Sequence, residues 1–183
     1  MANVNNPFGF AYVSMYQGHP PRMREFPKVV ADATAIFQND VVMENTGVAA
    51  TPTPPISSFA EGTPGTTIPL GVAQSYGAAS TATRHMVCVD YETYWVAQDN
   101  DPTTGILGTN IGKNANVDPT GVAGSVTTGF SGNQIAISGI ATTNSLDLHL
   151  ISLFPDVNNA FGPHARVIVR FNKMREMGQI AGV

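Results

Sequence analysis

Charged side chains are scarce in this sequence. Only 12% of its 183 residues are Asp, Glu, Lys or Arg, about half of the roughly 25% that is typical of soluble domains. A monomer with so few charges has little protection against sticking to its neighbours. We therefore expect other subunits to cover part of the surface, as in an assembly, and we do not expect a freely diffusing enzyme.

The sequence has a single cysteine and no long apolar run, and its first residues do not predict a leader sequence. Cys88 is the single cysteine, which excludes an intrachain disulfide; its apolar neighbours predict a buried, unreactive thiol. No run of 18 apolar residues exists to cross a membrane. The first residues lack the basic and apolar regions of a signal peptide. These absences predict synthesis in a cytoplasm, with no membrane partner.

Nucleic-acid binding is not expected either. The net charge is −4, and Lys and Arg cluster only mildly, at 22–28 and 166–175. Neither cluster alternates with aromatic side chains on which bases could stack. Both clusters are interpreted as solvated ends and partner contacts.

No catalytic signature is present. The chain has no Gly-x-Ser-x-Gly elbow, and its histidines lack metal-ligand spacing. His149 alternates with leucines and is predicted to be an exposed or interface side chain. The segment 99–105 resembles a calcium loop but lacks the Gly at its sixth position and the Glu at its twelfth, so a turn is favoured. The prediction is a protein that is not an enzyme, with no catalytic, cofactor-binding or metal-binding residue.

Short apolar runs separated by turn residues dominate the rest of the chain. With 18 Gly and 13 Pro residues, long helices are disfavoured and β-strands are favoured. The spacing predicts an all-β fold, an antiparallel β-sandwich or jelly-roll-like barrel. Strands are predicted near 34–43, 67–73, 84–98, 125–138, 145–154 and 165–172, with 84–98 and 125–138 each interpreted as a hairpin.

The last two predicted strands carry the clearest alternation. Leu146, Leu148 and Leu150 share one face of the first, and Val167, Val169 and Phe171 share one face of the second, as in a half-buried antiparallel pair. A hairpin would bring Asp147 near Arg170 as a cross-strand ion pair. The arginines also suggest that the last strand lies at a sheet edge.

Three stretches rich in Pro, Gly and polar residues interrupt this pattern. We predict an extended N-terminal arm over 1–30, a single β domain over 31–172 with a Pro/Thr-rich loop insert at 47–66, and a C-terminal tail over 173–183. The stretch 100–120 is also interpreted as a long loop. The arm and the insert are predicted to become ordered only on a partner.

The order of these segments resembles a family of structural proteins of tailed bacteriophages. The resemblance is spread over nearly the whole chain, in short motifs: Asn6–Phe10 (NPFGF), Ile36–Val42 (IFQNDVV), Leu70–Ala73 (LGVA), Met86–Asp90 (MVCVD), Tyr94–Gln98 (YWVAQ), Ile111–Val117 (IGKNANV), a Ser/Thr/Gly segment at 125–138, Leu148–Ile151 (LHLI) and Arg166–Asn172 (RVIVRFN).

The resemblance implies a head cement or decoration protein with a β-sandwich, jelly-roll-like fold. Such a protein would lie on the capsid exterior of the virion, after synthesis in the bacterial host cytoplasm. Its partners would be the major capsid protein and copies of itself, as a homodimer or homotrimer. It would bridge neighbouring capsomers and stabilise the head.

Two alternatives stay open at this point. One is another phage virion component, such as a tail-tube or head–tail joining protein. The other is a glycan-binding domain, because Tyr91, Tyr94 and Trp95 could form a platform for sugars. The favoured interpretation of these aromatics is that Trp95 packs in the core beside Val87 and Val89.

Overall fold

The chain folds into two antiparallel β-sheets with almost no helix. The structure is a computed structural model that describes residues 3–15, 18–45 and 54–175. In this part of the chain, the only helical elements are two short 3₁₀ turns, Phe59–Glu61 and Gly108–Asn110. Within the same residues, no helix is both long and apolar enough to cross a membrane.

The first sheet has six strands in the order β1-β7-β11-β10-β8-β9. Strands β10 and β11 pair in the middle of the sheet and β7 lies beside β11, while the chain's first strand forms one edge. The strands are β1 (Ala11–Met15), β7 (Thr93–Gln98), β8 (Asn114–Asp118), β9 (Gln134–Ala141), β10 (Leu148–Leu153) and β11 (Arg166–Phe171).

The second sheet has five strands in the order β2-β6-β5-β3-β4. Its edges, β2 and β4, contact each other. The strands are β2 (Met23–Lys28), β3 (Val41–Glu44), β4 (Ile56–Ser58), β5 (Gly71–Ala73) and β6 (Thr83–Cys88).

The main core lies between the two sheets. Phe10, Trp95 and Phe171 form its aromatic centre: the ring centroid of Phe171 lies 5.9 Å from that of Phe10 and 6.4 Å from that of Trp95. Successive residues of the five-stranded sheet point alternately into this core and into a second apolar cluster. Val41 and Cys88 lie in the main core, whereas Val42, Val87 and Val89 lie in the second cluster. Because side chains alternate along a strand, β5, the start of β3 and the end of β6 are buried on both faces of the sheet, while Glu25, Arg84 and Met86 leave part of it exposed.

The predicted pairing of the two C-terminal strands is confirmed. β10 and β11 are antiparallel neighbours, and the predicted apolar faces are buried. The register differs: His149, not Asp147, lies opposite Arg170, while Asp147 pairs with Lys173. The edge position is also wrong, since β11 lies between β7 and β10.

Both predicted hairpins are wrong in their pairing. Both strands within 84–98 are present, but β6 and β7 belong to different sheets. The turn between them therefore carries the chain from one sheet to the other. In 125–138 only the second half is a strand, and this strand, β9, pairs with β8. β8 itself lies inside the stretch 100–120 that was predicted to be a loop. Of the predicted strands at 34–43 and 67–73, only the last few residues are strand; they belong to β3 and β5.

The extended arm over 1–30 is not confirmed. β1 and β2 both lie in this segment, and each forms an edge of one sheet. Pro27 is compatible with β2 because an edge strand tolerates a residue without an N–H. The insert 47–66 contains β4, while 46–53 lie outside the described residues. Of the predicted tail, Lys173 and Met174 are buried, and 176–183 lie outside the described residues.

Candidate docking face

Three loop segments meet at one end of the six-stranded sheet. β7 ends at Gln98, opposite the first residue of β11, Arg166. β1 begins opposite Val96, close to the same end of β7. The segments that adjoin these strand ends therefore lie together; we call residues 3–8, 99–112 and 154–165 the docking end.

The buried carboxylate of Asp99 holds two of these segments together. It accepts backbone N–H bonds from Asp101 and Ile106 on its own loop, at 3.0 and 3.2 Å. It also accepts from His164 and Ala165 on the opposite loop, at 3.1 and 2.7 Å. Burial raises the pKa of the Asp99 carboxyl, and the four backbone donors partly oppose that effect. One side chain therefore fixes the spacing of two loops.

Asp101 closes the adjacent turn, as the sequence predicted for 99–105. Its carboxylate accepts bonds from the hydroxyl and N–H of Thr103 and from the N–H groups of Thr104 and Gly105. The bonds from Thr103 lower the pKa of Asp101 to about 2. Gly105 has φ 62°, and a Cβ there would overlap the carbonyl of Gly162. The two loops thus touch through backbone at this point.

Asn159 fixes the loop that precedes β11. Its amide donates to the carbonyls of Phe154 and Arg166 at 2.8 and 2.7 Å, and its oxygen accepts the Arg166 N–H at 2.9 Å. All of these bonds connect the two ends of the same loop. These bonds hold the loop at both ends, and a single antiparallel bridge between Gly162 and Ile106 ties its middle to the facing loop.

The N-terminal segment is tied to both neighbours. Asn3 donates to the carbonyls of Ala160 and Pro163, and its oxygen accepts the Ala160 N–H. Gln98 donates to the Val4 carbonyl at 2.7 Å and accepts the Asn6 N–H at 3.0 Å. These bonds join all three segments into one surface.

This surface presents apolar side chains to solvent. Val4 and Val157 are 77% and 92% exposed, and Leu107 and Phe161 are 44% and 45% exposed. A cleft of about 560 Å³ lies beside Val4 and contains an ion pair between Arg166 and Asp156, with an N–O distance of 2.9 Å. Four of the twelve large apolar side chains that are exposed in the described residues thus lie on this hydrogen-bonded frame, which makes it a candidate contact surface.

The other candidate groups do not form a reactive site. Cys88 is buried as predicted, and burial raises the pKa of its thiol. His149 is half-buried and bonds Asn114 at 2.8 Å, so it is less exposed than expected. In the described ranges, no three His, Cys, Asp or Glu side chains are grouped to hold a metal ion.

The three aromatic residues of 91–95 do not share a surface. Trp95 is 1% exposed and packs in the main core, as predicted, but its aromatic partners are Phe171 and Tyr12; Val87 and Val89 belong to the second cluster. Tyr91 is 41% exposed. A sugar platform made of all three rings is therefore not present.

Comparison of the chain with known protein families, curated proteins and solved structures finds no match. The functional proposal therefore rests on this chain's composition and on the geometry of its surface. The sequence did not single out Val4, Leu107, Val157 or Phe161, because each lies in a short apolar stretch of one or two residues within a segment rich in Gly, Pro and Asn.

Proposed function

We propose that this chain is a structural protein of a bacteriophage virion that cements or decorates the outside of the capsid. The observation that carries the proposal is the distribution of charge. The whole sequence has only nine Lys or Arg and 13 Asp or Glu residues, and seven of those within the described ranges are buried. The surface is therefore poorer in charge than the composition alone indicates, as expected for a subunit covered by neighbours. The buried residues are Lys28, Asp32, Asp40, Asp90, Asp99, Asp147 and Lys173.

The docking end is the proposed contact with the major capsid protein. Its loops are fixed by internal hydrogen bonds, so binding to a shell orders little additional chain. Its apolar side chains supply contact area without charges that would need partners. Individually weak contacts suffice, because many copies that bridge neighbouring capsomers act together. The jelly-roll-like arrangement, the position on the virion exterior and self-association belong to the same proposal.

The proposal can be tested by binding the purified protein to shells of the cognate major capsid protein. Replacing Val4 and Val157 together by Asp puts two charges on the docking end at positions that contribute little to the fold. We expect at least about a tenfold loss of affinity, equal to about 1.4 kcal/mol. Val126→Asp is the matched control, because Val126 is 72% exposed but lies outside the docking end.

Equal binding by the double variant and the control would exclude the docking end as the contact. Mass spectrometry of separated heads and tails tests the role itself. The protein is expected in the head fraction. Recovery in the tail fraction alone would favour the tail component instead.

A further inference from the structure

One face of β11 continues the docking end along the six-stranded sheet. Val167, Val169 and Phe171 lie in the main core between the sheets. Since side chains alternate along a strand, Arg166 and Arg170 lie on the opposite face. Arg166 lines the cleft of the docking end, so a partner seated there can extend along this face towards Arg170. We call the outward-facing positions of the three adjacent strands β7, β11 and β10 the outer face: Tyr94, Val96, Ile168, Arg170 and His149.

Arg170 is the arginine of this face that lacks an acidic partner. Arg84, Arg166 and Arg175 each contact a carboxylate oxygen at 2.9 Å, whereas Arg170 makes no such contact among the described residues. Its Nε is buried and has no hydrogen-bond acceptor, and an unpaired buried donor costs free energy. The three strands of the outer face contain no Asp or Glu. The face therefore supplies no carboxylate to Arg170.

His149 lies next to Arg170 on the neighbouring strand. The two residues are directly opposite each other in the register of β10 and β11. The amide nitrogen of Asn114 donates to the Thr143 carbonyl, so its oxygen accepts the Nδ1–H of His149 at 2.8 Å. The second ring nitrogen, Nε2, makes no hydrogen bond to the described residues. Burial and the charge of Arg170 both lower the pKa of His149. An anion seated on Arg170 would therefore raise this pKa.

We propose that the outer face binds an acidic segment of the major capsid protein and that a carboxylate of this segment lies on the guanidinium of Arg170. The inference rests on the proposed function and names the chemistry of the partner next to the docking end. The Nε–H and an Nη–H of arginine form a planar fork that matches the two oxygens of a carboxylate. This contact satisfies the buried Nε donor. A nucleic acid fits less well, because the chain has a net charge of −4 and phosphate polymers need several cations.

Replacement of Arg170 separates binding from folding. Arg170→Met keeps an apolar stem and removes both the charge and the unpaired donor, so its thermal midpoint should equal or exceed that of the wild type. Its affinity for shells of the cognate major capsid protein should fall at least about tenfold. Arg170→Lys keeps the charge without the planar fork and should also bind more weakly. Arg84→Met is the matched control, because Arg84 is an exposed arginine on a strand of the other sheet. Shell binding by both Arg170 variants at the level of this control would overturn the proposal.

An acidic peptide tests the same site on the free protein. Hexaglutamate is expected to raise the pKa of His149, measured by NMR from its ring protons, and hexalysine is expected to leave it unchanged. The response should be absent in Arg170→Met and weaker at high salt. No response of His149 to hexaglutamate, or an equal response to oligothymidylate, would overturn the assignment of an acidic protein segment.

The proposed function and this inference fail in different ways. Loss of shell binding in the Val4 and Val157 double variant, with full binding by Arg170→Met, would keep the docking end as the contact and exclude the outer face. A response to hexaglutamate through Arg170 in a protein that does not bind shells would refute the proposed function and support the site for an acidic segment.

Discussion

The stability of the fold should depend on pH through Asp40, a carboxyl group buried beside the loop 124–133. One of its oxygens accepts the hydroxyl of Ser131 at 2.5 Å, and the other accepts the N–H of Phe37 at 2.8 Å. Burial nevertheless dominates and raises the pKa of Asp40 from 3.8 to about 6. The folded chain therefore retains a proton that the unfolded chain has lost between these two pH values.

This difference in proton binding sets the sign and the size of the effect. Between about pH 4 and pH 6 the folded state binds more protons than the unfolded state, so the free energy of unfolding falls as pH rises. A change of one in pKa corresponds to about 1.4 kcal/mol. The contribution of Asp40 should thus decline by about 3 kcal/mol over this window and stay constant at higher pH.

Urea unfolding of the wild type and of Asp40→Asn, at intervals from pH 3.5 to pH 7.5, isolates this contribution. Asn retains an oxygen for the Phe37 N–H but does not titrate, and the other buried carboxyl groups cancel between the two proteins. The wild type should lose stability relative to the variant as pH rises from about 4 to about 6, and the difference should then stay constant. Asp101→Asn is a control of opposite sign, measured in a scan extended down to about pH 2: the pKa of Asp101 is lowered from 3.8 to about 2, so its stabilising effect is lost as pH falls between these two values. A constant difference between wild type and Asp40→Asn would refute the reasoning.

Two further predictions test the parts of the chain that position the docking end. Phe10→Ala should lower the free energy of unfolding by about 3–5 kcal/mol, because this residue of the N-terminal segment is fully buried; a change below about 1 kcal/mol would contradict its place in the core. Gly105→Ala should lower the thermal midpoint and weaken shell binding, since its Cβ would overlap the facing loop. Gly139→Ala is its control, with a similar φ of 80° but open space around the new Cβ.

The sequence predicted best where alternation and pairing are local. β10 and β11 follow one another in the chain, and each has one apolar face that only a single arrangement can bury. The register was wrong because it was set by contacts beyond the pair: Asp147 accepts N–H bonds from Gly65 and Val117. These partners are far away in sequence and leave no local pattern.

β1 and β2 could not be predicted for a related reason. The sequence of β2, MREFPK, has two β-breaking features, a proline and alternating charge, and it becomes a strand because β6 pairs with it along its whole length. The crossing from β6 to β7 also lacks a local signal, since a turn between sheets uses the same residue types as a hairpin turn. The exposed apolar residues of the docking end were missed because exposure depends on the tertiary fold.

Rigid loops and a surface with little charge have a common origin in this protein. The buried ion pair of Asp147 and Lys173, with an N–O distance of 3.3 Å, illustrates it: Lys173 also donates to the carbonyls of Gly65 and Ser145. Such a pair contributes little net stability, because desolvation offsets the attraction, but it fixes where three chain segments meet. Asp99 likewise fixes where two loops meet at the docking end. Charges used inside the fold in this way hold the loops in place and are removed from the surface, and both effects favour a subunit that binds neighbours through a preformed face with few charges.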